Sequence, residues 1–400
     1  MTRSPRFLSA CGFRSPLATR HSPLLSARLG AVCLLCLLLV PGSRSQSIDI
    51  SKPLQSIDDD VTGFAYAPDG RIIYSVRRIF KSKLYDLQRD DIWLLESNGK
   101  RRRLLAGEKF TRGNAPFTYA VISYRWSPSG RLILAQLLTT SVVDENGKTE
   151  DALMTLILDD SGKELHPGGL DSVIKDSLDA SWMQDNSTII YLTEVLKPRV
   201  LFSFKYMNLA SGPAGPAFDG RTFLDVDYLP HTNIAVAVER DRNLSGPPRL
   251  QRLDLLAQDN KELATLDGYE GGISLSPRGT KVAYYIDKEV LEIRDLASPN
   301  HVARVRIGLG NYQWSPDETR ILLKRASEKK SGDIVWIDLP PLVAAPSSAS
   351  ANQSIPVSQP IPVPILHGLT FRDFAISPDG RFLAVSPPGK RNLLVFPLPR

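Results

Sequence analysis

This chain has almost no cysteine, little histidine and one long apolar run. Its three cysteines, Cys11, Cys33 and Cys36, all lie within the first 45 of its 400 residues. The absence of a thiol beyond Cys36 excludes disulfides and a cysteine nucleophile from the rest of the chain. A folded part of roughly 350 residues buries enough core without cross-links. The spacing Cys33-Leu-Leu-Cys36 resembles a redox or metal motif, but it lies inside the apolar run and lacks the βαβ context such a motif needs.

Beyond residue 45 the histidines are His166, His231, His301 and His367, with no two at metal-ligand spacing and no His-Glu-x-x-His. A phosphate loop, a dinucleotide fingerprint and a haem-attachment motif are also missing. The acid-rich turns Asp144-Glu145-Asn146-Gly147 and Asp159-Asp160-Ser161-Gly162 lack the alternating acids and distal Glu of a calcium loop. No metal and no cofactor is therefore expected. Gly272-Ile273-Ser274-Leu275-Ser276 comes nearest to a nucleophile elbow. It lacks the final Gly and leads into a hairpin turn rather than a helix, which argues against Ser274 as a nucleophile.

The apolar run Leu29 to Val40 has 12 residues, short of the roughly 20 needed to span a bilayer. Arg3, Arg6, Arg14, Arg20 and Arg28 precede it, and small residues follow, ending Ser43-Arg44-Ser45. A basic region, a short apolar region and a small-x-small site read as an export signal over residues 1–45, so a periplasmic or secreted protein is expected. The whole chain has 49 basic and 43 acidic side chains, but this leader holds six Arg and no acid, leaving 43 against 43. The remainder has no net positive field, which speaks against nucleic-acid binding.

What the sequence does contain is a repeated phrase. It reads Ala67-Pro68-Asp69-Gly70, Ser127-Pro128-Ser129-Gly130, Ser276-Pro277-Arg278-Gly279, Ser315-Pro316-Asp317-Glu318 and Ser377-Pro378-Asp379-Gly380. Worn copies stand at Met183-Gln184-Asp185-Asn186 and Leu229-Pro230-His231-Thr232, giving seven in all at spacings of 39 to 62 residues. Ser, Pro and Gly at the first, second and fourth places fit a type I turn closed by a residue of positive φ. Each turn lies between a short apolar segment and a β-rich run such as Arg381-Phe-Leu-Ala-Val385. These runs are apolar on successive residues, as in strands covered on both faces, and no helical period competes with them. The unit is strand, turn, strand, loop, strand, turn, strand.

A four-stranded unit copied seven times predicts an all-β fold, a seven-bladed β-propeller of antiparallel blades over residues 46–400. Residues 340–364, rich in Pro, Ser and Ala, read as an insertion between blades six and seven, whose later part, from Ile355, can supply an outer edge strand. The sequence after the seventh turn holds only two strands more, so the blade ends one strand short. The segment Ser47 to Leu54 is expected to supply that outer strand and to close the ring.

Phe64-Ala-Tyr-Ala-Pro-Asp-Gly70, Tyr124-Arg-Trp-Ser-Pro-Ser-Gly130, Tyr312-Gln-Trp-Ser-Pro-Asp317 and Phe374-Ala-Ile-Ser-Pro-Asp-Gly380 resemble the WD40-like repeats of TolB-type propellers, over roughly residues 46 to 400. The resemblance implies a bacterial envelope protein with a scaffold or binding role rather than catalysis. The alternative is a propeller hydrolase, lactonase or lyase with a metal or a His/acid site in the central channel. The turns emerge on one face and the loops between second and third strands on the other. Those loops, Arg77–Asp90, Leu138–Asp151, Arg240–Pro248 and Arg325–Gly332, are long and charged. Because function commonly sits on loops held by a rigid scaffold, Arg77, Arg78, Tyr85, Arg89, Arg240 and Arg242 are the expected contacts to a protein or small-molecule partner, with the chain itself a monomer.

Overall fold

Every copy of the phrase closes a turn with a backbone hydrogen bond from its fourth residue to its first, from Gly70 N to Ala67 O (3.0 Å) through Gly380 N to Ser377 O (2.8 Å). The serine is selected because its hydroxyl accepts a second N–H across the turn, as from Leu132 to Ser127 (3.0 Å) and from Phe382 to Ser377 (2.9 Å). The fourth residue has positive φ in six copies, including Asn186 and Glu318; in the fourth copy His231, one place earlier, takes it. Asn186 and Glu318 lack glycine's freedom, and the same bond compensates both. Asn186 Oδ1 accepts the N–H of Ser129 (2.7 Å) and Glu318 Oε1 that of Arg278 (2.6 Å), each the third residue of the preceding turn.

The computed structural model describes residues 47–81, 86–109, 117–142, 149–165, 178–196, 201–308, 310–325, 332–345, 355–369, 373–387 and 392–399. Residues 1–46, with the expected export signal, Tyr85, His166 and residues 144–147 lie outside them. Repeat 1 comprises Val61–Tyr66, Ile72–Lys81, Asp86–Leu95 and Arg101–Leu105; repeat 2, Phe117–Trp126, Leu132–Val142, Thr149–Asp159 and Glu164–Leu165. Repeat 3 comprises Leu178–Trp182, Thr188–Leu196, Leu201–Asn208 and Gly212–Ala217; repeat 4, Phe223–Tyr228, Ile234–Glu239, Arg249–Asp254 and Asp259–Thr265. Repeat 5 comprises Gly271–Leu275, Lys281–Tyr285, Val290–Asp295 and His301–Arg306; repeat 6, Tyr312–Trp314, Arg320–Arg325, Gly332–Asp338 and Val363–Leu369. Repeat 7 has Asp373–Ile376, Phe382–Ser386 and Leu393–Pro397. Each repeat is an antiparallel sheet in chain order; repeats 3 and 4 also touch through one pair, Phe202↔Phe223.

The sheets are covered on both faces, which explains the unbroken apolar runs. Ile73 packs toward repeat 2, with Phe117 and Ile133, while its neighbours Ile72 and Tyr74 pack toward repeat 7, with Ala384 and Val395. Seven such cores occur among the described residues, each between consecutive repeats, and one of them joins repeat 7 to repeat 1. The sheets therefore form a closed ring, a β-propeller.

The amino end closes the ring, a few residues later than expected. The outer strand of repeat 7 is Gln55–Ile57, paired antiparallel with Leu393–Val395, rather than Ser47–Leu54. Pro53 interrupts the earlier stretch, and Ile48 instead donates its N–H to Ile365 O of repeat 6 (2.7 Å). Ile48 and Ile57 are buried in two adjacent cores, and each contributes about 2–3 kcal/mol by burial. Residues 340–364 also differ from expectation. They leave the third strand of repeat 6 and return as its fourth, so they fall inside that repeat rather than after it. On the way they cover the edge of repeat 5. Val343–Ala344 runs antiparallel to His301–Val302, and Val357–Ser358 runs parallel to Arg304–Val305.

Candidate functional site

The first strands of the repeats wall a central channel. Three residues before each turn stand Phe64, Tyr124, Ala180, Val226, Ile273, Tyr312 and Phe374; all but Tyr312 are buried between sheets. Strand alternation then turns the residues on either side of them inward. Two before the turn these are Ala65, Arg125, Ser181, Asp227, Ser274, Gln313 and Ala375. Four before it they are Gly63, Ser123, Asp179, Asp225, Gly272, Asn311 and Asp373. The wall is small or polar, with four Asp and one Arg.

At the turn face the channel opens into a funnel of about 540 Å³ lined by residues of all seven repeats. Its lip is proline and aromatic: Pro68, Pro128, Pro230, Pro277, Pro316 and Pro378, with Tyr66, Trp126, Trp182, Tyr228 and Trp314. The prolines are the second residues of the turns, and the aromatics are the residues immediately before them. The indole N–H groups of Trp126 and Trp314 and the hydroxyl of Tyr66 are buried without a partner among the described residues. Toward the other mouth lie cavities of about 910 Å³, with Glu270, Asn311 and Asp373, and about 360 Å³, with Arg77, Asn311 and Asp373.

Much of the polar wall stitches neighbouring repeats together. Gln313 donates to Phe374 O (2.7 Å) and accepts from Ile376 N (2.9 Å). Asp225 accepts from the Tyr269 hydroxyl (2.6 Å) and from Ile273 N (3.3 Å). Asp227 accepts from Leu275 N (2.7 Å) and from Tyr228 N (2.9 Å). Arg125 donates to Asp179 (3.2 Å), and its backbone carbonyl accepts the Trp182 indole N–H (3.1 Å). Burial pushes the Asp227 carboxyl up to about 7; the Leu275 N–H and Arg125 oppose this, and Asp179 adds to it. Burial also raises Asp179, against the pull of Arg125.

The arginines expected on the opposite face are placed differently. The stretch Arg77–Asp90 is largely hairpin rather than loop, since the second and third strands of repeat 1 extend to Lys81 and from Asp86. Arg77 stands directly opposite Asp90 and pairs with it at 2.5 Å, though it also lines the 360 Å³ cavity. Arg78 pairs with Asp91 (3.3 Å) and Asp59 (3.6 Å). Arg89 is buried over the Phe117 ring, donating to Phe117 O (2.9 Å) and Gly107 O (3.3 Å). Arg240 donates to Leu244 O (3.0 Å), and Arg242 is exposed. These residues do not form one site. Sequence reasoning missed the channel, although a fixed offset from each turn marks it.

No family model matches the chain, and no curated protein matches it. Solved structures similar to it include TolB from Acinetobacter baumannii, 14% identical with a TM-score of 0.37, over 71% of this chain and 67% of that one. The C-terminal WD40 domain of Sif2 is 12% identical with a TM-score of 0.46, over 89% and 99%. An oligogalacturonate lyase in complex with manganese is 11% identical with a TM-score of 0.42, over 72% and 98%.

Proposed function

We propose that the chain is an exported, seven-bladed propeller that works by binding a partner in the bacterial envelope, as a monomeric scaffold rather than a catalyst. The observation that carries this reading is the funnel at the turn face: one concave site, contributed by every repeat, rimmed by rigid proline and aromatic surface over a polar floor. Rigid aromatics bury area at small entropic cost, which suits recognition. Export rests on the leader. Of the arginines first expected to meet the partner, Arg77, Arg78 and Arg89 are committed to internal bonds, which moves the proposed contact surface to the opposite mouth.

A photo-reactive amino acid placed at His231, on the funnel lip, tests the reading in the native envelope. A discrete adduct is expected from this position, and none from Leu256, which is 71% exposed on an outer hairpin. Absence of an adduct at the funnel, or equal adducts at both positions, would refute it. One observation favours the enzymatic alternative: a carboxyl pushed up to about 7 beside a guanidinium is suited to proton transfer.

A further inference from the structure

Four acids buried on the strands have arginine partners, while buried Glu318, in a turn, is held by the Arg278 N–H and the Thr280 hydroxyl. Asp90 pairs with Arg77, Asp91 with Arg78 and Arg103, Glu239 with Arg221 and Arg249, and Glu292 with Arg294 and Arg304. Asp227 and Asp225 have none among the described residues. They stand two apart on the first strand of repeat 4, on its channel side, and accept only backbone N–H groups and one tyrosine hydroxyl. The one arginine of the channel wall, Arg125, bonds to Asp179 instead. Asp227 lines the funnel directly beneath the aromatic lip. Each carboxylate oxygen has room for more than one donor, so the floor holds acceptor capacity beyond its own hydrogen bonds, and the charge of an ionised Asp227 is met only through space by Arg125, which lines the same funnel.

The lip complements this floor. Aromatic faces attract cations and cover the aliphatic stem that carries one. Trp314, only 7% exposed, lines the same funnel and adds to the apolar surface that the stem would pass. At about 540 Å³ the funnel is far larger than one ammonium group requires.

Building on the binding role proposed above, we infer that the funnel receives an extended protein segment whose lysine or arginine side chain passes the aromatic lip and pairs with Asp227. Beside the half-buried Asp227 the cation takes the place that an arginine fills beside the buried acids of the strands. Groups facing Asp227 are Arg125 from repeat 2, Asp179 from repeat 3, Asp225 and Tyr228 on its own strand, the Leu275 N–H from repeat 5 and Tyr312 from repeat 6. Because the free protein holds a proton on Asp227 up to about pH 7, binding displaces it and affinity rises with pH through that range.

The test selects a displayed random peptide library against the immobilised full protein at about pH 8, once Asp227 is ionised. Enriched peptides are expected to carry Lys or Arg at a fixed position. Replacing that residue by norleucine, or the protein's Asp227 by Asn, should weaken binding about tenfold or more, as loss of a charge-assisted bond does. Asp227→Asn should also abolish the rise in affinity with pH, and Trp314→Phe should weaken binding less. Thermal melts of both variants establish that they fold. Peptides without a basic residue, or binding indifferent to Asp227→Asn, would overturn the inference. So would 1,5-diaminopentane binding as tightly as the peptides, which would make the ligand a free amine. An adduct from His231 in the envelope together with any of these results leaves the binding role standing and removes only the cation; no adduct and no peptides removes both.

Discussion

Glu292 and Asp227 belong to neighbouring repeats and are both drawn away from bulk water, yet their surroundings differ completely. Glu292, on the third strand of repeat 5, is 2% exposed and bonded by Arg294 (2.6 Å), Arg304 (2.9 Å) and the hydroxyl of Tyr284. Asp227, on the first strand of repeat 4, receives two backbone N–H groups and no cation. Burial raises both carboxyls. At Glu292 the Tyr284 hydroxyl and two guanidiniums outweigh it and hold the group below its ordinary value; at Asp227 burial prevails and the group rises to about 7. The same residue chemistry thus serves as a fastener inside a sheet and as an open acceptor in the channel.

Removing the fastener should have the largest effect. Glu292→Ala leaves Arg294 and Arg304 facing each other around an empty place, and loss of one partner from a buried ion pair costs about 3–5 kcal/mol. Denaturant unfolding at neutral pH measures it, and a loss below about 1 kcal/mol would place Glu292 with the weakly contributing surface pairs. Since the folded-state value is lowered, this contribution is present above the unfolded value of 4.5 and disappears as pH falls through the folded one.

Asp227→Asn should act in the opposite direction. Its folded-state value is raised, from 3.8 to about 7, so below about pH 4 both states hold the proton and the group contributes nothing. Between those values the unfolded chain ionises first, and stability falls as pH rises. Above about 7 the cost is complete. Channel water screens it, and we expect Asp227→Asn to gain about 1–2 kcal/mol at alkaline pH and nothing at pH near 4. Melting temperatures across this range check it; a destabilised variant at alkaline pH would mean that the two N–H bonds matter more than the charge.

How much of this could be read from residues alone differs between the two acids. The turns were legible because Pro and Gly act locally: Pro128 sets one φ and Gly130 takes a positive one, whatever surrounds them. The closing segment was legible as a missing strand, but its register was not. Ile48 and Ile57 look equivalent in sequence and serve different repeats, with Pro53 between them. The charged stretch around Arg77–Asp90 misled, because charge suggests a loop while cross-strand pairing of Arg77 with Asp90 makes it a strand. Asp227 lies in an ordinary Asp-Tyr before a worn turn, and nothing local shows that it lines one funnel with residues of six other repeats.

The smallest effect is also the most discriminating. Arg125 favours the ionised form of Asp227 but is bonded to Asp179, so its influence on Asp227 is exerted through space. Arg125→Gln should therefore destabilise more above about pH 7 than below about pH 4, because there Asp179 and Asp227 are both ionised and both lose its charge. In an Asp227→Asn background the Asp227 part of this pH dependence should vanish, leaving the part that comes from the Asp179 ion pair. The double-mutant cycle at alkaline pH is expected to give a coupling of about 0.5–1 kcal/mol, the scale of a pair exposed to channel water. A coupling of several kcal/mol would mean that Arg125 already serves Asp227 as its cation. The channel acid would then belong with Glu292 and the other fasteners, with no charge left to offer a ligand.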